Sequence, residues 1–183
     1  VTLSVAPGAV IEWFPEITIP FAGSRFTQTM AVKLGKGATA LIWDSLASGR
    51  VARGERWAFT SLRNEIHLIT ASGARLLERY DVSPDRDSTG LGMLSAYDYV
   101  ASFFVVSDAI APPRWPAVRD TLAGILDSFG SDLLGGVTEP PAPGLAVKLV
   151  SRSPEALAAG QELLWEATRR AVLGLARPAL RHY

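Results

Sequence analysis

Three segments of this chain repeat one pattern: a strand-like run, a short turn closing on Gly-Ala, and a second strand-like run. They are Val5-Ala-Pro-Gly-Ala9, Leu34-Gly-Lys-Gly-Ala38 and Ile69-Thr-Ala-Ser-Gly-Ala74. Such turns use glycine because they need a residue at positive φ, and the alternation on either side marks the buried face. Between the first two, Phe26, Met30, Val32 and Leu34 share one parity while Thr27, Thr29 and Lys33 occupy the other, the pattern of a half-buried strand. The three segments therefore read as successive hairpin turns. Their spacing, 29 residues from Ala9 to Ala38 and 36 from Ala38 to Ala74, is too irregular for a strict solenoid but suits strands stacked rung upon rung.

The strand-like pattern continues through Trp57 and Phe59, Ile66 and Leu68, and Leu76, Tyr80 and Val82. Asp81 to Gly92 has loop composition, and Leu91 to Val106 reads as strand on the β-propensity of Tyr97, Tyr99, Phe103 and Phe104. At Pro112-Pro113 the period changes. Val118, Leu122, Ile125, Leu126 and Phe129 form a helical stripe opposite Arg119, Asp120 and Asp127, which predicts a helix over 116–129 with Gly130 at its end. Gly135 to Gly144 reads as a loop, followed by a short strand, Leu145 to Val150. Ser153-Pro154-Glu155 supplies an N-cap, a first-turn proline and a first-turn acid for a second helix over 154–176. Its stripe is Leu157, Leu164, Trp165, Thr168, Val172 and Leu175, with Leu163 and Leu173 on the wet side. The expected fold is mainly β with C-terminal helices (α+β): a stacked, β-helix-like assembly over 1–110 and a helical region over 111–183 packed on it as a single domain.

At 183 residues and 48% hydrophobic content the chain can bury a core. Lys+Arg and Asp+Glu are equal at 18 each, so no net field attracts nucleic acid or an anionic membrane, and neither is an expected partner. No apolar run approaches the roughly 18 residues of a membrane span, and Val1 to Val5 lacks the pattern of a signal peptide. The absence of cysteine rules out disulfides and thiolate chemistry and fits a reducing compartment, so the expected location is cytoplasmic. With two histidines and no cysteine, a tight permanent site for zinc, copper or nickel is not expected, because those ions favour imidazole and thiolate; no cofactor is expected, and any metal would be held loosely by oxygen. Phosphate-binding, dinucleotide, nucleophile-elbow and metalloprotease motifs are missing from the sequence, and nothing points to an ordinary enzyme.

The acids carry the functional signal. Asp44 shares parity with Ala40, Ile42 and Leu46, and Glu78 with Leu76, Tyr80 and Val82. A carboxylate on a core-facing parity costs several kcal/mol unless it is paired, hydrogen-bonded or lining a wet cavity. Either the two are buried ion pairs, with Arg50, Arg53 or Arg56 as partners, or they line a polar internal path. Glu12 and Glu16 flank Trp13-Phe14-Pro15 and read as a solvated loop, and His67 as the outer face of a strand.

Together these stretches resemble a known family. Gly8-Ala9-x-x-Glu12-Trp13-x-Pro15-Glu16, Ile19-x-Phe21-x-Gly23-Ser24-Arg25, Leu41-x-Trp43-Asp44, Gly49-Arg50-x-x-x-Gly54-Glu55, Leu76-Leu77-Glu78-Arg79 and the closing Leu164-Trp165 with Arg169-Arg170 are similar, in order and spacing, to the urease accessory protein D family, called H in some bacteria. Members carry a further N-terminal β segment, and the resemblance implies that this chain begins after it. It also implies a non-enzymatic maturation factor that binds apo-urease and a complex of accessory protein F with the GTPase accessory protein G, and that helps nickel reach the urease active site, in one view through an internal channel. Asp44, Glu78, Glu12 and Glu55 are then the candidates for a transient nickel path, with nickel only in transit and bound no more tightly than about micromolar. Two alternatives compete: a carbohydrate-active enzyme on a β-helix-like fold with two of Glu12, Glu16, Asp44 and Glu78 as catalytic carboxylates, and a plain β-rich interaction module.

Overall fold

A computed structural model describes residues 1–84 and 97–178. Among these described residues nine strands form two sheets. In the first, β1 (Thr2–Val5), β3 (Arg25–Leu34), β5 (Ser61–Ile69) and β6 (Arg75–Val82) lie in that order; in the second the order is β2 (Val10–Trp13), β4 (Thr39–Ala47), β7 (Tyr99–Ser107), β9 (Gly144–Ser151) and β8 (Leu133–Thr138). The α+β class is as expected, and so is the stacking. β1 runs parallel to β3 with Thr2 opposite Ala31, while β2 runs parallel to β4 with Val10 opposite Thr39. Each pair β1–β2 and β3–β4 is thus one rung laid on the next.

The turns differ from expectation. The Ala6–Ala9 and Gly35–Ala38 segments carry the chain from one sheet to the other, so they are corners and not hairpins; only the turn before Ala74 joins antiparallel neighbours, β5 and β6. The corners bond to each other, with the Gly8 amide donating to the Lys36 carbonyl and the Gly35 amide to that of Val5, both at 2.9 Å. A corner and a hairpin use the same glycine and the same flanking alternation, so local pattern does not separate them.

The second sheet is the middle of three layers. Ala40, Ile42, Phe104 and Val106 face the first sheet, whereas Leu41, Trp43, Phe103, Val105, Val147 and Leu149 face two helices, α1 (Trp115–Asp127) and α2 (Pro154–Thr168). Burial on both faces explains why β4 and β7 read as apolar runs. Val118, Leu122 and Leu126 of α1 are buried as predicted, and Ser153 caps α2 by accepting from the Ala156 amide at 3.1 Å. The second helix ends earlier than 176: Arg169–Leu173 forms a π turn closed by Gly174 at φ 68°. The wider turn shifts the phase, bringing Leu173 against the core and leaving Leu175 52% exposed, the reverse of the sequence reading. Gly135 and Gly136, expected in a loop, lie in β8; a Cβ on Gly135 would meet the Lys148 carbonyl oxygen at 2.7 Å, so glycine there permits close pairing with β9. Asp81 and Val82, expected in a loop, end β6, where they pair with Arg63 and Leu62; residues 85–96, which take in most of that loop reading and the start of the Leu91 to Val106 strand, lie outside the described residues, as does His182. Among those described, no helix is long and apolar enough to cross a membrane.

Candidate functional site: a polar layer between the sheets

Polar residues interrupt the apolar filling between the two sheets along one line. In the second sheet Asp44 pairs with Ser102 and Ser102 with Lys148, three residues side by side on β4, β7 and β9. Facing them in the first sheet, Gln28, Asn64 and Tyr80 form a matching row across β3, β5 and β6, with Glu78 two residues before Tyr80. The layer separates one apolar cluster, around Ile42, Ile66 and Phe104, from a smaller one of Leu46, Phe59 and Leu62.

The hydrogen bonds close across the sheets. Asn64 Nδ2 donates to Asp44 Oδ2 at 2.8 Å, Tyr80 Oη donates to the same oxygen at 3.0 Å, and Gln28 Nε2 donates to Asn64 Oδ1 at 3.2 Å. Lys148 Nζ donates to Ser102 Oγ at 2.9 Å, pairs with Glu78 and lies 5.4 Å from the centre of the Phe104 ring. Burial pushes the Asp44 carboxyl above its usual range; the Tyr80 hydrogen bond and the Lys148 charge oppose that shift, and the Glu78 charge adds to it. Burial and the Asp44 charge raise Tyr80 as well, so it stays a protonated donor. A cavity of about 160 Å³ opens among Asp44, Glu78, Tyr80, Val100, Ser102 and Lys148. Among the described residues no group of three or more histidines, cysteines or acids is arranged to hold a metal.

The comparisons with known proteins agree with the sequence pattern. The model of a family described as UreD urease accessory protein matches residues 1–182. Urease accessory protein UreD 2 of Streptomyces griseus is 36% identical over 99% of this chain and 62% of its own length, and urease accessory protein UreD of Haloarcula marismortui is 30% identical over 100% of this chain and 60% of its own. The chain belongs to the UreD family. It spans about three fifths of the length of these relatives. A third UreD, from Deinococcus radiodurans, is 42% identical over 65% of the chain and 43% of its own length.

Of the four acids singled out from this UreD-family sequence, Asp44 and Glu78 meet in the polar layer, and Glu12 and Glu55 lie elsewhere. Neither Asp44 nor Glu78 pairs with Arg50, Arg53 or Arg56; the cation at the layer is Lys148. Glu12 is on β2 and not in a solvated loop. It points to the helical side of the second sheet, where it pairs with the buried Arg169 and accepts from Trp165 Nε1. Glu55 closes a surface loop: Arg50 Nε donates to it at 2.8 Å and lies under Phe21, its guanidinium 4.4 Å from the ring centre. Gly49, at φ 145°, is needed there because a Cβ would meet the Glu55 carbonyl oxygen at 2.4 Å. Glu16 is exposed at the rim of a separate groove of about 410 Å³ between the second sheet and α2, where Glu162 is held by Arg177 at 3.0 Å. His67 is on the outer face as expected, 3.2 Å from Glu65, which Arg63 chiefly holds down to about 2.

A search of the sequence for core-facing acids passes over Lys148, Ser102, Asn64 and Tyr80 as site residues. The signal was present, because Asn64 shares parity with Leu62, Ile66 and Leu68, and Ser102 with Phe104 and Val106. The parity test that marks a buried acid marks a buried amide or hydroxyl as well.

Proposed function

We propose that this chain is a urease maturation factor: a non-catalytic scaffold that binds apo-urease together with accessory protein F and the GTPase accessory protein G, and along whose polar layer nickel passes toward the urease active site. One observation carries the reading, the convergence of Asp44 and Glu78 on one cavity between the sheets, where their carboxylates and the Tyr80 and Ser102 hydroxyls interrupt a lining that is otherwise largely apolar. Oxygen donors alone hold nickel weakly, and weak binding is what transfer demands, since an ion bound tightly would not be released. Family membership supports the maturation role; the partners and the nickel route are this reading's own content. The carbohydrate-enzyme alternative finds little support, because Glu12 is paired with Arg169 and Glu78 with Lys148, the cavity beside Asp44 is only about 160 Å³, and of the four candidate acids Glu16 alone lines the larger groove.

The test has two arms. Co-expression with apo-urease, F and G should recover a stable complex, and its absence would remove the scaffold role. Asp44→Asn combined with Glu78→Gln should leave that complex intact while lowering nickel-dependent urease activation. Full activation by the double variant would remove the nickel path from this layer.

A further inference from the structure

We infer that Lys148 is a displaceable latch on the polar layer: its ammonium holds the place of a divalent cation beside Glu78, and an incoming ion reaches Asp44 by exchanging with it. The inference rests on the reading of the layer as a cation path. β6, which carries Glu78, is the edge strand of the first sheet, and β9, which carries Lys148, belongs to the larger second sheet. The Lys148–Glu78 pair therefore ties the two sheets together at the rim of the cavity. Exposure falls from 48% for the Lys148 side chain to 18% for that of Glu78, and Asp44 as a whole residue is only 7% exposed. A cation entering from solvent meets the latch first and the buried acid last.

The surroundings of the ammonium suit a cation in transit. Glu78, the Ser102 hydroxyl at 2.9 Å and the Phe104 ring face at 5.4 Å all favour positive charge. A half-exposed lysine pair is weak, so it can open at little cost. Charge favours the exchange, because one ammonium leaves the two carboxylates with an uncompensated negative charge, and a divalent ion compensates both. The stem of Lys148 is long enough for its head to swing into water without moving β9. Such a latch keeps the layer neutralised between ions and competes with each ion that enters, which keeps occupancy transient.

The experiment is titration of this chain with nickel(II) alone, by calorimetry at one pH and low salt. Lys148→Met should bind nickel about tenfold more tightly than the parent, because a competing charge a few ångströms away is gone. Lys148→Arg, which keeps the charge, should show no gain. Lys148→Gln gives the same readout as Lys148→Met should the latter not melt cooperatively. Adding Asp44→Asn and Glu78→Gln to Lys148→Met should abolish the gain. Equal affinity in the parent and the charge-removing variants, or a gain that survives loss of both acids, overturns the latch. The urease-activation assay reports separately on the path: impaired activation by the Asp44→Asn, Glu78→Gln variant with no affinity gain at Lys148 removes only the latch, whereas full activation with the affinity gain present removes only the path.

Discussion

Glu12 and Asp44 lie on adjacent strands of the same sheet and on opposite faces of it, and each is an acid among apolar neighbours. Glu12 meets a buried arginine and an indole N–H. Asp44 meets two neutral donors, an amide and a phenol, with a cavity beside it. The first arrangement satisfies both charges and leaves nothing over for a ligand. The second buries the carboxylate without a cation in direct contact, and that burial raises its titration against the opposing Tyr80 hydrogen bond and Lys148 charge. A carboxylate out of place in an apolar run is therefore not one kind of signal; its partner decides whether it belongs to the scaffold or to a site.

The largest test of this contrast is Glu12→Ala. It strands Arg169, whose side chain is only 10% exposed, and should cost about 3 to 5 kcal/mol in urea unfolding. Combining it with Arg169→Met should recover much of that loss, since no charge then remains buried. Asp44→Ala should cost less, about 1 to 3 kcal/mol, because it leaves only the neutral donors of Asn64 and Tyr80 unpaired. Equal losses at the two positions would erase the distinction.

Asp44→Asn sharpens it further by reversing the sign. Burial raises the folded carboxyl above its ordinary 3.8, so the folded chain keeps a proton that the unfolded chain has released. The charge at Asp44 consequently costs stability as pH rises from 3.8 through the folded value, and the full cost persists above it. The asparagine variant should be the more stable of the two at neutral pH, with the difference vanishing below pH 3.8; denaturation measured across that range checks it. At the small end, Arg170→Ala breaks an exposed pair with Glu166 one helical turn away and should shift stability by only about 0.2 to 0.5 kcal/mol.

Features set by neighbours in the chain were legible in the sequence. The parity of β3, the N-cap at Ser153, the stripe of α1 and the inward direction of Asp44 and Glu78 each follow from a few adjacent residues obeying the period of a strand or a helix. Family membership was legible for a related reason, since short motifs keep their order and spacing whatever they pack against. What pairs with what belonged to the tertiary structure. The first two Gly-Ala turns became corners because each rung found its hydrogen-bond partner 29 residues away, as Thr2 with Ala31 and Val10 with Thr39. Gly135 and Gly136 became strand because β9 offered a free edge. Glu12 found Arg169 at a separation of 157 residues, and the positive charge near Asp44 came from Lys148 on a strand that no local pattern connects to it. Periodicity tells a side chain which way to point, and only the folded layers decide what it meets there.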